Sequence, residues 1–161
     1  MSLWVVDASP LIFLAKLERL DLLRQAAGSV CLPQAVADEI RAKPDMATQL
    51  LEQALQTWIE VRVVDNRMAV DLLLAELDLG EAEVIVLAKI LNAEYVVMDD
   101  LDARRFARRV GLRPIGTLGL LLAARLRGEI PSLQAEIQRL EKFGFRVSSA
   151  LKAQILRAAG E

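Results

Sequence analysis

Four stretches of this 161-residue chain set carboxylates where chemistry can be done. "WVVD" ends an apolar run on Asp7, and "YVVMDD" ends another on Asp99 and Asp100. "VADEI" contributes Glu39, and "GEAEVIVLA" contributes Glu81 and Glu83 near a helix start. Carboxylates gathered in a partly buried pocket repel one another and lose hydration, and a divalent cation is the simplest compensation. An oxygen-only ligand set suits hard ions, Mg²⁺ or Mn²⁺, which keep waters and meet substrate phosphates. Such an ion polarises a phosphodiester, acidifies a bound water and stabilises the leaving oxygen.

Each acid also has a plain structural reading. Asp99, Asp100 and Asp102 can cap or line the first turn of a helix opening near residue 102, and Glu81 and Glu83 suit the dipole of their own first turn. Asp7 can cap the helix that starts "SPLIFL", although Ser9 before Pro10 already suits that role. Glu39 can be an ordinary solvated helix residue. Only their joint arrival at one edge favours the ion.

Basic residues follow the last acids directly. "ARRFARRVGLR" sets Arg104, Arg105, Arg108 and Arg109 at helical spacing, with Phe106, Ala107 and Val110 left for the core and Arg113 just beyond. The bland reading is a solvated face balancing nearby acids. Beside a metal site, Arg104, Arg105 and Arg108 become the track for an RNA backbone.

Five short runs, 3–6, 29–32, 59–64, 95–98 and 113–116, read as the strands that must position these groups. Between them lie stretches with apolar residues three and four apart, at 10–27, 33–42, 46–58, 66–77 and 81–92. The alternation predicts an α/β fold with a mainly parallel central sheet flanked by helices, and open parallel sheets bind ligands beyond the carboxyl ends of their strands. From Ser132 onward the pattern is helical, broken by "KFGFRVS". The expected organisation is therefore one domain over 1–130 and a C-terminal helical extension over 131–161, packed on that domain or on a dimer mate. Gly116 and Gly119 in "GTLGLLL" read as a tight turn and a close helix approach, with Thr117 as cap.

Composition removes several classes. With no histidine, the chain has neither a Ser-His-Asp triad, nor a Cys-His pair, nor a typical zinc site. Its 22 acidic and 20 basic residues give net charge −2, so any contact with phosphates must be local. The single cysteine, Cys31, reads as a small buried hydrophobe. No apolar run approaches the roughly 20 residues of a membrane span, and "MSLWVVD" meets an aspartate too early for a signal peptide, which predicts a cytoplasmic protein without a membrane partner.

"VVDASPLI", "LPQAVADEI", "GEAEVIVLAKIL" and "YVVMDDLDARRFARRVGLRPIGTLGLLLAARLRGEI" together resemble, in order and spacing, the successive motifs of PIN-domain nucleases from about residue 3 to 130. "GTLGLLL" and the closing "GFRVSSALKAQILRAAGE" look like one mostly uncharacterised prokaryotic branch of that group. The resemblance implies a three-layer PIN-like fold and, by analogy with VapC-type toxins, an Mg²⁺- or Mn²⁺-dependent endoribonuclease that is a homodimer and is held inactive by an antitoxin protein. Residue by residue it implies Asp7, Glu39, Glu83 and Asp100 as the acids that hold the metal and carry catalysis, with Ser9 beside them. The third acid is glutamate where many relatives have aspartate, and Glu81 two positions earlier competes with Glu83 for that role, as Asp99 does with Asp100.

Two other classes stay open: a PIN-like protein- or RNA-binding module with weak catalysis, and a receiver-like signalling domain. The latter needs a lysine after a late strand, and none lies between Lys89 and Lys142. "DLLLAEL" and "MATQLLEQALQTW" carry more leucine than one core face needs, which suits a dimer, an antitoxin helix, or burial on two sides within the domain.

Overall fold

A computed structural model describes residues 2–161. Its strands are β1 (Leu3–Val6), β2 (Ser29–Pro33), β3 (Ile59–Arg62), β4 (Tyr95–Val97) and β5 (Pro114–Ile115), all parallel in the order β3-β2-β1-β4-β5. Strand β1 sits at the centre, Val5 pairing with Cys31 on one side and Val96 on the other. Trp4, Val5 and Val6 are all buried, as befits a strand covered on both faces. The chain leaves β1 towards β2 and later returns to β1's other side as β4. The edge between β1 and β4 is thus the point where strand order reverses, and there the sheet opens a crevice.

The helices are α1 (Ala8–Lys16), α2 (Leu20–Ala26), α3 (Gln34–Ala42), α4 (Thr48–Thr57), α5 (Arg67–Leu73), α6 (Leu79–Leu91), α7 (Leu101–Arg109), α8 (Thr117–Leu126), α9 (Leu133–Lys142) and α10 (Ser149–Ala158). The expected helix over 10–27 is two helices. Glu18 takes a left-handed conformation at φ 58°, and Arg19 N–H bonds back to the Leu14 carbonyl, which ends α1 without glycine or proline. Leu17, turned into the core, secures the break.

Helix α6 is apolar nearly all round, with Ala82, Val84, Ile85, Val86, Leu87 and Ala88 buried against the sheet and neighbouring helices. Cys31 is buried within β2, and burial pushes its thiol up to about 11. Beyond residue 130, α9 buries Leu133, Ile137 and Leu140 in the common core. Glu136, almost wholly buried, takes Arg19 at 2.7 Å and Arg139 at 3.3 Å, while Arg139 also donates to the Leu17 carbonyl. Helix α10 buries no residue fully and is tied on by polar contacts, Lys152 to Glu141 and Glu161 to the first turn of α9. No helix among the described residues is long and apolar enough to cross a membrane. In "DLLLAEL" Leu72 and Leu74 stay exposed, as Met46 and Leu50 do in "MATQLLEQALQTW", so two-sided burial does not account for the whole surplus of apolar side chains there.

Candidate metal centre

Four segments that meet the crevice deliver acids to it: the ends of β1 and β4, α3, and the start of α6. Asp7, one residue past β1, is nearly buried; its Oδ1 accepts the Ala8 N–H at 2.8 Å and caps α1. Ser9, expected as that cap, instead lies inside the first turn, and its hydroxyl donates to Asp99 Oδ2 at 3.0 Å. Glu39 comes from α3. Glu81 comes from the first turn of α6, fixed by a reciprocal capping box: Asp78 Oδ1 accepts the Glu81 N–H at 2.8 Å and Glu81 Oε1 accepts the Asp78 N–H at 3.1 Å. Asp99 and Asp100 follow β4. Asp100 caps α7 through Oδ2, which accepts the Ala103 N–H.

Asp7, Ser9, Glu39, Asp78, Glu81, Asp99 and Asp100 thus line one cavity of about 350 Å³, which Phe13, Gly144, Phe145 and Arg146 complete. Three of the carboxylates come together beside Gly80. A Cβ at that position would lie 3.0 Å from Glu39 Oε1 and 3.6 Å from both Asp7 Oδ1 and Asp78 Oδ1. Three elements therefore point acids at the space that a glycine leaves empty.

The electrostatic cost is visible in proton affinity. Burial lifts Asp7 from its ordinary 3.8 to about 7, with Glu39, Glu81 and Asp78 adding to the rise against the Ala8 N–H. Burial likewise raises Glu81 to about 7, reinforced by Asp78, Asp100 and Glu39. Glu39 moves up for the same reasons, burial first and then Asp78, opposed by Lys43. Acids in this state gain from any cation that enters.

Glu83 departs from the expectation that it is a metal and catalytic acid. It is buried outside the cavity, Oε1 accepting the Ala35 N–H at 3.0 Å and Oε2 the Arg67 guanidinium at 2.8 Å. Its charge is already compensated at the first turn of α3. Asp99 is likewise engaged: Oδ1 accepts the Thr117 N–H at 2.8 Å and Oδ2 the Thr117 and Ser9 hydroxyls. Thr117 is the first helical residue of α8 rather than its cap, the cap position being Gly116.

Oxygen-only donors fit Mg²⁺ or Mn²⁺ by chemistry. Among the described residues no three acids stand in ligating distance of one point as they are, so uptake of an ion requires side-chain adjustment. Glu39 and Glu81, with longer stems than aspartate, have the reach for it.

The arginines divide. Arg105 pairs with Asp102 at 3.4 Å and Arg109 with Glu76 at 3.6 Å, all four well exposed. Arg104 is half-buried, its Nε inside the protein without a hydrogen-bond partner, and burial followed by the Arg108 charge pushes its guanidinium down. Arg108 is exposed and makes no ion pair among the described residues.

Two contributions lie outside the site residues expected from the sequence. Asp78 was signalled by the D-x-x-E capping pattern of "DLGE", while the loop after α9, which brings Gly144, Phe145 and Arg146 to the cavity, had no local signal beyond its break in helical pattern.

A parallel α/β sheet with acids gathered at its reversal point defines the class. The chain belongs to the PIN-domain family: a family model described as a PIN domain matches residues 3–161. PIN domains are generally nucleases that typically use divalent metals, which makes this chain a nuclease-type module. Among solved structures it is similar to a PilT N-terminus domain protein from the hyperthermophilic archaeon Sulfolobus solfataricus P2, at 21% identity and TM-score 0.53, over 76% of this chain and 92% of that one. That likeness supports the fold. No curated protein shows significant similarity to the chain.

Proposed function

We propose that this chain is an Mg²⁺- or Mn²⁺-dependent endoribonuclease of the cytoplasm, the toxin component of a type II toxin-antitoxin pair. The observation that carries the reading is the meeting of Asp7, Glu39 and Asp78 around Gly80, with Glu81 and Asp100 on the same cavity. In this proposal Asp7, Glu39, Glu81 and Asp100 hold the metal, Asp78 orients Glu81, and Ser9 with Thr117 holds Asp99 as a rigid wall.

A bound divalent ion supplies Lewis-acid polarisation of the phosphodiester and acidification of water. The chain's own part is to aim carboxylates from separate rigid elements at one place. Asp7 and Asp100 each use one oxygen on a helix cap, which fixes the carboxylate plane at the cavity wall. Arg104 and Arg108 lie on α7, next to Asp100, where a negative backbone arriving at the acids would pass. Exposed Met68, Leu72 and Leu74 offer an apolar face for a second copy or an antitoxin helix.

Cleavage of a labelled structured-RNA pool in Mn²⁺ or Mg²⁺, lost both in EDTA and on Asp7→Asn, is the expected result. A second reading, a PIN-like module with weak catalysis that binds RNA or protein, draws on the absence of three acids already in ligating geometry. No cleavage, together with no saturable metal binding, would select it.

A further inference from the structure

Strand β3 ends the sheet: β2 occupies one of its sides, and no strand among the described residues occupies the other. Such an edge presents free backbone N–H and C=O groups to any strand that fits, and proteins ordinarily blunt it with charge. β3 does carry charge, Glu60 and Arg62, but of opposite sign and two residues apart, hence on one face of the sheet. The other face of the segment is apolar. Ile59 is buried, Val61 is half-buried, and Val63, just past the strand, is 68% exposed.

Antiparallel pairing of two such edges about a two-fold axis brings outward-facing backbone groups together when the axis passes through a residue rather than between two. An axis through Glu60 sets carboxylate against carboxylate, and one through Arg62 sets guanidinium against guanidinium. An axis through Val61 sets Glu60 of one copy opposite Arg62 of the other, twice. It also sets Val61 against Val61 and Ile59 against Val63, so one face of the joint is an apolar row and the other a row of alternating charge. Charge thus selects one register. Arg62 adds an independent mark: its Nε is buried and makes no hydrogen bond, although Glu60 Oε1 lies 3.1 Å away. A second carboxylate arriving across the axis offers the acceptor that this donor lacks.

We propose that β3 is a docking edge for a second copy of this chain, the two strands pairing antiparallel about Val61 so that two five-stranded sheets become one continuous sheet. The occupant is a second copy rather than an unrelated strand because the order of charges is its own complement, which repels most other sequences while fitting itself. This edge is distinct from the exposed apolar face at Met68 and Leu72. Strands within each sheet are all parallel, so the joined sheets run in opposite directions. The two acidic crevices therefore open at opposite ends of the dimer, each complete without residues from the other copy.

The test is sedimentation equilibrium of the full chain and of Leu72→Glu, which charges the apolar face of α5 and leaves β3 untouched. Leu72→Glu should still associate reversibly to twice the 17.8 kDa of one chain. In that background Glu60→Arg and Arg62→Glu should each weaken dimerisation by about tenfold or more, because both cross-strand pairs become like-charged, and the two changes together should restore it. Val61→Cys should form an intermolecular disulfide on oxidation, since directly opposed strand residues stand at a separation that a disulfide spans, and Cys31, being buried, takes no part. A monomer at every concentration, a dimer indifferent to both reversals, or reversals that the double exchange does not restore overturns the proposal. Where circular dichroism shows that a single reversal has unfolded the chain, the Val61→Cys crosslink decides: its formation supports the pairing and its absence overturns it.

Discussion

On α6, Glu83 lies inside the protein with both oxygens engaged, one by the Ala35 N–H and one by Arg67, whereas Glu81 looks into a cavity shared with Asp7, Glu39 and Asp100. The first is a structural acid that ties α6 to the start of α3 and to α5. The second is a strained acid whose proton affinity has risen to about 7, burial being the larger cause and neighbouring carboxylates the smaller. Side-chain type is the same and the separation is two residues. What differs is whether a cation is already supplied by the fold, and that distinguishes an acid that stabilises from one available to a ligand.

The sharpest break of this comparison is at Asp7. Asp7→Asn retains an acceptor for the Ala8 N–H and so preserves the cap, but removes a charge from the cavity; RNA cleavage in Mn²⁺ should fall by on the order of 10³-fold or more, read by initial rates. Next comes the pair on α6. Glu81→Gln should weaken Mn²⁺ binding on the order of 10²-fold by titration calorimetry with little loss of stability. Glu83→Ala should do the reverse, costing about 2 kcal/mol in urea unfolding because Ala35 N–H and Arg67 lose their acceptor, while metal affinity stays within a few-fold. Equal losses of metal affinity in both variants would dissolve the distinction.

Proton linkage gives a third measurement. Asp7 and Glu81 have folded-state values near 7 against ordinary values of 3.8 and 4.5, so between those limits the folded chain binds more protons than the unfolded one. Stability of the metal-free protein should therefore decline as pH rises from about 4 to about 7 on account of these groups, and level off above. At pH 8 without metal, Asp7→Asn should be more stable than the parent by roughly 1–3 kcal/mol, a difference that vanishes near pH 4. Thermal melts with and without Mn²⁺ at both pH values check the sign, since the metal should raise the parent's melting temperature only at the higher pH.

The smallest effect is expected at Gly80. Gly80→Ala places a methyl 3.0 Å from Glu39 Oε1 and among Asp7 and Asp78. Helix propensity favours alanine, yet Mn²⁺ affinity should drop several-fold as Glu39 is displaced. An unchanged affinity would mean that the space beside Gly80 is not where the ion sits.

Much of this was legible in the chain itself. Apolar runs that end on Asp7 and on Asp99-Asp100 can only be buried strands delivering acids to a sheet edge, and the parallel five-stranded sheet places both at the reversal point. The division of 10–27 into α1 and α2 was not legible, because the break rests on Glu18 adopting φ 58° so that Leu17 can enter the core, a tertiary gain with no glycine or proline to announce it. Nor was the role of Ser9, which holds Asp99 from 90 positions away rather than capping its own helix.

Residue types and order alone determined that the chain has no histidine, that any metal would be held by oxygen, and that acids recur at strand and helix ends. Helical periodicity even required Glu81 and Glu83 to diverge, since two residues along a helix turn about 200°. Which of them faces the cavity was decided only by tertiary structure, because Arg67 and the first turn of α3 come to one side of α6 while Asp7, Glu39 and Asp100 come to the other. The same holds for Phe145 and Arg146: contact between residues more than 100 positions apart depends on how α9 packs across the domain, and local pattern carries no record of that.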